Sequence, residues 1–190
     1  MEQNDEKLIL DYLNGEENAF GVLTEKYLKK IFNFTYRIVG NRAEAEDVTS
    51  ETFLKVWRNL RKFKKNLSFK TWIFRIARNS AIDHIRKRKN VVFSDFENED
   101  GNNYFEETLE DPGPSAPELI EKVEDKKFIE NIINQLPAIY REVLLLRLNN
   151  DFTFEEMSNI LDKPLDTVKS QHRRALIKLK KILENNQKTP

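Results

Sequence analysis

The sequence has no cysteine, which rules out disulfides and thiolate-held metals. Glycine is scarce, five in 190 residues, and none of it is gathered into a loop that could wrap phosphate groups. Histidine occurs only at His84 and His172, each beside a cationic run and without a carboxylate at metal-ligand spacing. Asp83 and His84 are neighbours in sequence and so point to different sides of a helix, which rules them out as a catalytic pair. No apolar run approaches the roughly 20 residues that a membrane helix needs. The opening MEQNDEKLIL is acidic and polar, not basic and then apolar, so no secretory leader is expected. Net charge is missing too, with 32 Lys and Arg against 32 Asp and Glu. These absences leave no constellation for an enzyme, a metal or a cofactor, and no site for a small-molecule substrate. They fit a soluble protein of the cytoplasm.

The zero total conceals blocks of charge. Residues 1–54 carry eleven acids and six bases, and residues 94–125 carry twelve acids and one base. Between them, Lys55–Asn90 holds thirteen cations and one acid, Asp83. Trp57, Phe63, Phe69, Trp72 and Phe74 are set among those cations. One-signed charge displaces the counterions condensed on phosphates, and aromatic faces accept unstacked bases of any identity. The pattern points to nucleic acid.

Apolar residues recur at helical spacing, and the fold class expected is all-α. Helices are predicted over 5–14, 17–39, 42–60 and 69–88, with Gly40 as a left-handed stop and Ser68 as an N-cap. The third uses Ala45, Val48, Thr52, Phe53, Val56, Trp57 and Leu60 as its inner face. Residues 94–118 are acidic, end in prolines and lack a helical period, so they are expected to be a flexible linker. Further helices are predicted over 119–134 and 138–149. Thr153 with Glu156 has the capping-box spacing. It opens a short helix, then Asp162-Lys163-Pro164 turns the chain into a longer helix over 165–183. Short helix, tight turn, longer helix is the helix-turn-helix pattern. The expected organisation is a helical bundle over 1–93, the linker over 94–118 and a helix-turn-helix domain over 119–190.

In that motif the start of the second helix enters the major groove. Its outward positions are Asp166, Thr167, Lys169, Ser170, Arg173 and Arg174. Lys178, Lys180 and Lys181 suit backbone phosphates or the helix C-terminus. Glu44, Asp47 and Glu51 form an acidic strip just before the basic block. Such a strip is either solvated charge or a face that docks protein, since it repels DNA.

With these residues in view, the chain resembles the extracytoplasmic-function (ECF) sigma factors of bacterial RNA polymerase. AEAEDVTSETFLKVWRNLRKF, followed by FKTWIFRIARNSAIDHIRKRK, is similar to sigma region two. INQLPAIYREVLLLRLNNDFTFEEMSNILDKPLDTVKSQHRRALIKLKK is similar to region four. The resemblance implies that Asp47, Ser50, Glu51, Thr52 and Lys55 dock the β′ clamp of core RNA polymerase. Ser50 replaces the family's usual Gln and changes that contact. It implies that the loop Arg61–Leu67, with Arg61, Lys62, Phe63, Lys64, Lys65 and Asn66, takes a flipped promoter base. Lys70, Trp72, Arg75, Arg78 and Asn79 would line the melted strand or adjoining duplex, and Arg86 and Arg88 would hold phosphates. Thr167, Lys169, Ser170, Arg173, Arg174 and Lys178 would meet the distant promoter element, and the helix after Pro137 would meet the β flap. Promoter DNA and core polymerase are thus the expected partners, with an anti-sigma factor as a further one and a monomer as the free form. The alternative is a helix-turn-helix regulator that acts without stable polymerase association.

Overall fold

The computed structural model describes residues 4–63, 68–89 and 131–187. The predicted linker over 94–118, the predicted helical residues 119–130, and Lys64, Lys65, Asn66 and Leu67 lie outside the described residues. All regular structure among those described is helical. Helices α1 (Asp5–Leu13), α2 (Glu17–Val39), α3 (Arg42–Asn59) and α4 (Phe69–Lys89) come first, with a 3-10 turn at Leu60–Lys62. After a helical turn at residues 131–134 come α5 (Ala138–Asn150), α6 (Phe154–Leu161) and α7 (Leu165–Gln187). The chain divides into two units. Helices α1 to α4 form the first, while α5, α7 and α6 through Ser158 lie in the second.

Local chemistry sets the helix ends of the first unit. The Asn4 side chain accepts the Glu6 amide at 3.0 Å, and acids follow in the first turn of α1, where the helix dipole favours them. Gly40 closes α2 at φ 77°, a conformation open to glycine without strain. Asn41 then caps α3 by accepting the Glu44 amide at 3.1 Å. Ser68 accepts the Thr71 amide at 3.1 Å and starts α4, as its position in the sequence suggests.

Leu23, Tyr27, Ile31 and Phe34 of α2 pack with Ala45, Val48 and Val56 of α3 and with Phe69, Ile73, Phe74, Ala77 and Ile82 of α4 as the buried core. Each large side chain so buried contributes roughly 1.5–3 kcal/mol. The buried hydroxyls of Thr35 and Thr49 lie 3.0 Å apart and join α2 to α3. Thr35 also donates to the Phe32 carbonyl, so neither polar group is left unsatisfied.

The second unit has its own core. Ile132, Ile133, Leu136, Ile139, Tyr140, Leu144 and Leu145 pack with Ala175, Leu179 and Leu183 of α7. The capping box forms as read: Thr153 N donates to Glu156 Oε2 at 2.9 Å, and Glu156 N donates to Thr153 Oγ1 at 3.2 Å. Asp151 and Asp162, the residues that follow α5 and α6, take positive φ values of 52° and 57°. Aspartate tolerates that region better than most residues.

Three aromatic assignments change. Trp57 is 48% exposed, not part of the inner face of α3. Phe69 and Phe74, grouped above with the base-stacking aromatics, are buried in the core. Helix α4 turns by about 100° per residue, so the aromatics of one cationic run fall on different faces.

Gln171 of α7 is 3% exposed, and neither atom of its amide has a hydrogen-bond partner. An unpaired buried polar group costs about 1–3 kcal/mol, whereas an apolar group of similar shape carries no such cost. Gln171→Met is therefore expected to raise the thermal unfolding midpoint of the second unit by about 4 °C or more, read by calorimetry. A lowered midpoint would show that the amide is satisfied.

Candidate nucleic-acid interface

Helix α4 carries most of the expected nucleic-acid residues of the first unit. Asn79, Arg86 and Arg88 are exposed, and Lys70, Trp72, Arg75 and Arg78 are half-buried. Arg61 and Lys62 project from the 3-10 turn, and Phe63 follows in extended backbone. The Phe63 and Trp72 rings lie 5.1 Å apart, and the Phe69 ring is 5.9 Å from the first and 5.8 Å from the second. Phe69 in turn meets Tyr27 edge-on at 5.4 Å. The half-buried aromatic pair thus stands on a core residue, which fixes its position. Of the five aromatics noted in the basic stretch, Phe63, Trp72 and the exposed Trp57 have surface available for contact with bases.

The docking strip on α3 comes apart on inspection. Asp47 and Ser50 are exposed, though the Ser50 hydroxyl donates back to the Glu46 carbonyl at 2.9 Å. Thr52 is fully buried, with its hydroxyl donating to the Val48 carbonyl at 2.7 Å. It belongs to the α3 core stripe and cannot present itself to a partner. Lys55 is half-buried and turned toward α4: its Nζ lies 2.9 Å from Ser80 Oγ and 2.8 Å from Glu51 Oε1. That hydrogen bond is the chief reason the Glu51 carboxyl lies below its ordinary value; burial opposes it, and Lys55, Lys87 and His84 add attraction. Lys55 is a strut between helices, not an outward cation.

Glu44 also faces α4. It pairs with Arg88, and its other oxygen lies 3.4 Å from His84 Nε2. Arg88, expected to hold phosphate, has an acid as its partner in the free chain. What sequence reasoning missed is Leu54, 52% exposed and one helical turn beyond Ser50 and Glu51. Its signal was available: a leucine lying outside the inward stripe of an otherwise polar face.

In the second unit the outward residues of α7 lie where periodicity puts them. Asp166, Lys169, Ser170, Arg173 and Arg174 are exposed and Thr167 is half-buried. Lys178 is exposed, with its Nζ 5.2 Å from the centre of the Tyr140 ring on α5. His172 lies edge-on to Phe154 at 5.2 Å, and its Nε2 is buried without a hydrogen-bond partner among the described residues. Burial, and secondarily the Arg147 charge, hold its imidazole below the usual value, which favours the neutral ring. Among the described residues no cluster of His and carboxylates could hold a metal, and no helix is long and apolar enough to cross a membrane.

Comparison with known proteins gives consistent matches. The Sigma-70 region 2 family matches residues 23–91, and the Sigma-70, region 4 family matches residues 129–179. The ECF RNA polymerase sigma factor SigW of Bacillus subtilis is 33% identical over 187 residues, covering 97% of this chain and 100% of the relative. The RNA polymerase sigma-H factor of Pseudomonas aeruginosa is 32% identical over 187 residues, covering 96% and 95%. Among solved structures, the fold is similar to the sigma factor RpoE in complex with the anti-sigma factor NepR from Bartonella quintana. That match has a TM-score of 0.66 at 23% identity and covers 88% of this chain and 98% of the other. CnrH in complex with the cytosolic domain of CnrY gives a TM-score of 0.67 at 21% identity, covering 95% and 97%.

A pH dependence follows from His172. Its imidazole binds a proton less readily folded than unfolded. Its contribution to stability is therefore complete above about pH 6.5, the unfolded value, and is lost as pH falls through the lowered folded value. Stability of the second unit should decline across that window, and His172→Phe should flatten this part of the profile, as read by denaturant titration at several pH values. An unchanged slope in the variant would place the titration elsewhere.

Proposed function

The chain belongs to the ECF RNA polymerase sigma factors, and on that premise we propose how its two units divide the work of starting transcription. As a sigma factor it binds core RNA polymerase and directs it to promoter DNA. The first unit docks on polymerase through the exposed part of α3, Asp47, Ser50 and Glu51 with Leu54 beside them, and meets the melted promoter strand along α4. Arg61, Lys62 and the Phe63–Trp72 pair lie where an extruded base would stack, and Arg75, Arg78 and Asn79 follow along the helix toward adjoining DNA. Arg86 and Arg88 serve phosphates. The second unit reads the distant promoter element through Thr167, Lys169, Ser170, Arg173 and Arg174, and α5 faces the polymerase flap.

The observation that carries this reading is the pairing of two unlike nucleic-acid faces in one chain. One joins cations to a half-buried aromatic pair, which suits bases out of the stack. The other is a helix-turn-helix with an exposed cationic start, which suits duplex. Taking a base from the stack costs about a few kcal/mol, which stacking and the pocket must offset. Two modest modules on one chain reach high occupancy by effective concentration once polymerase holds both. Melting therefore draws on binding energy. The site of action is the cytoplasm, and by analogy with the RpoE–NepR complex an anti-sigma protein holds the free factor.

The first test is capture of bacterial core polymerase followed by transcription from a pool of random upstream DNA. Core binding with a recovered two-part promoter supports the reading. Failure to bind core, with tight binding of the protein alone to duplex, would overturn it in favour of a polymerase-independent regulator.

The faces separate by mutation. Arg173→Ala should weaken use of the distant element by roughly 1–3 kcal/mol while polymerase affinity is kept. Asp47→Ala with Glu51→Ala should lower polymerase affinity first. If both changes lower polymerase binding alike, the assignment of faces is wrong.

A further inference from the structure

Reading a major groove requires that a helix be held at a finely set rotation about its axis; the buried stripe of α7 decides which face is inward, and the fine angle needs directional contacts. Val168, Ala175, Leu179 and Leu183 are buried there, but apolar contact is non-directional. The one buried polar residue of that face, Gln171, has no side-chain hydrogen bond among the described residues. Directional contact is found one residue on, at His172, on the border between the buried face and the exposed Lys169, Ser170, Arg173 and Arg174.

We infer that Arg147, Phe154 and His172 are positioning residues, a three-helix stack that sets the rotation of α7 and so aims its outward side chains at duplex DNA. This rests on the proposal that α7 reads DNA. Phe154, at the start of α6, is the middle member. His172 of α7 meets its ring edge-on, with centroids 5.2 Å apart and planes at 76°. The Arg147 guanidinium of α5 lies 5.2 Å from the centroid of the same ring. Arg147 Nη1 also donates to the Phe152 carbonyl at 2.7 Å, which ties α5 to the turn ahead of α6. Edge-to-face and cation–π contacts have preferred geometries, unlike the aliphatic packing around them.

Other contacts keep Phe154 from moving. The capping box holds the backbone on both sides of it. At the far end of α6, Ser158 Oγ donates to the Lys163 carbonyl at 2.6 Å, and Lys163 N donates to the Ser158 carbonyl at 3.2 Å. With α6 held at both ends, the angle that remains to be set is that of α7, and His172 is the residue of α7 in ring contact with α6.

The test uses the full chain assembled with core polymerase on a promoter of known two-part sequence. Protection of the distant element and polymerase affinity are measured for His172→Ala, Phe154→Leu, the two combined, His172→Phe and Arg173→Ala. His172→Ala and Phe154→Leu should each weaken distant-element protection about three- to tenfold at unchanged polymerase affinity. The combined variant should be no worse than the weaker single, because the stack acts as one unit. His172→Phe, which keeps an aromatic edge, should restore protection. A structural role alone would lower the unfolding midpoint without this rescue. Normal protection with His172→Ala, additive losses, or no rescue by His172→Phe would overturn the stack as a positioning device. Normal protection with Arg173→Ala would instead overturn the reading of α7 as the DNA helix, and the inference would fall with it.

Discussion

An α-helix advances about 100° per residue, so the stripe it buries decides where every other side chain points. In this protein that rotation governs both faces proposed to meet nucleic acid. On α4 the burial of Phe69, Ile73, Phe74, Ala77 and Ala81 leaves Arg75, Arg78 and Asn79 toward the surface. On α7 the burial of Val168, Ala175 and Leu179 leaves Lys169, Arg173 and Arg174 outside. A shift of a single residue in either stripe would carry guanidinium groups into a core that could not solvate them, at a cost far above the gain from any contact. The charged surface is thus a product of the core.

Much of this was legible in the residues. Helical period, the Ser68 cap, the Gly40 stop and the Thr153–Glu156 box are local signals, and local signals survive into structure because they depend on the backbone within a few residues. The paired order of motifs also pointed to the family. What stayed hidden was long-range. Nothing near Lys55 in sequence announces Ser80, twenty-five residues on, so an amine that looked outward proved to be a strut. Glu44 likewise lies forty-four residues before Arg88. Thr52 could be read as polar surface or as a small core residue, and its hydrogen bond to Val48 is what let it be buried. Phe69 and Phe74 misled for a related reason: an aromatic in a cationic run serves the core and the ligand face equally well in composition, and only rotation separates them.

The two units solve the same problem with different means. The first holds α4 through a broad core plus polar struts from α3, Lys55 to Ser80 and Glu44 to Arg88. Those struts connect the helix proposed to dock on polymerase with the helix proposed to meet the melted strand. The second buries Met157, Ile160 and Leu161 of α6 and adds ring contacts and turns.

Helix α6 has eight residues. A helix of that length has almost no intrinsic stability in water, since nucleation is unfavourable and isolated helices below roughly 12–15 residues are marginal. It persists because its neighbours and its two aspartate turns hold it. Loss of either end would melt the whole segment at once, with no partly formed helix left behind. Amide hydrogens along α6 should therefore share one opening free energy, a cooperative unit of the folded state rather than a gradient of fraying.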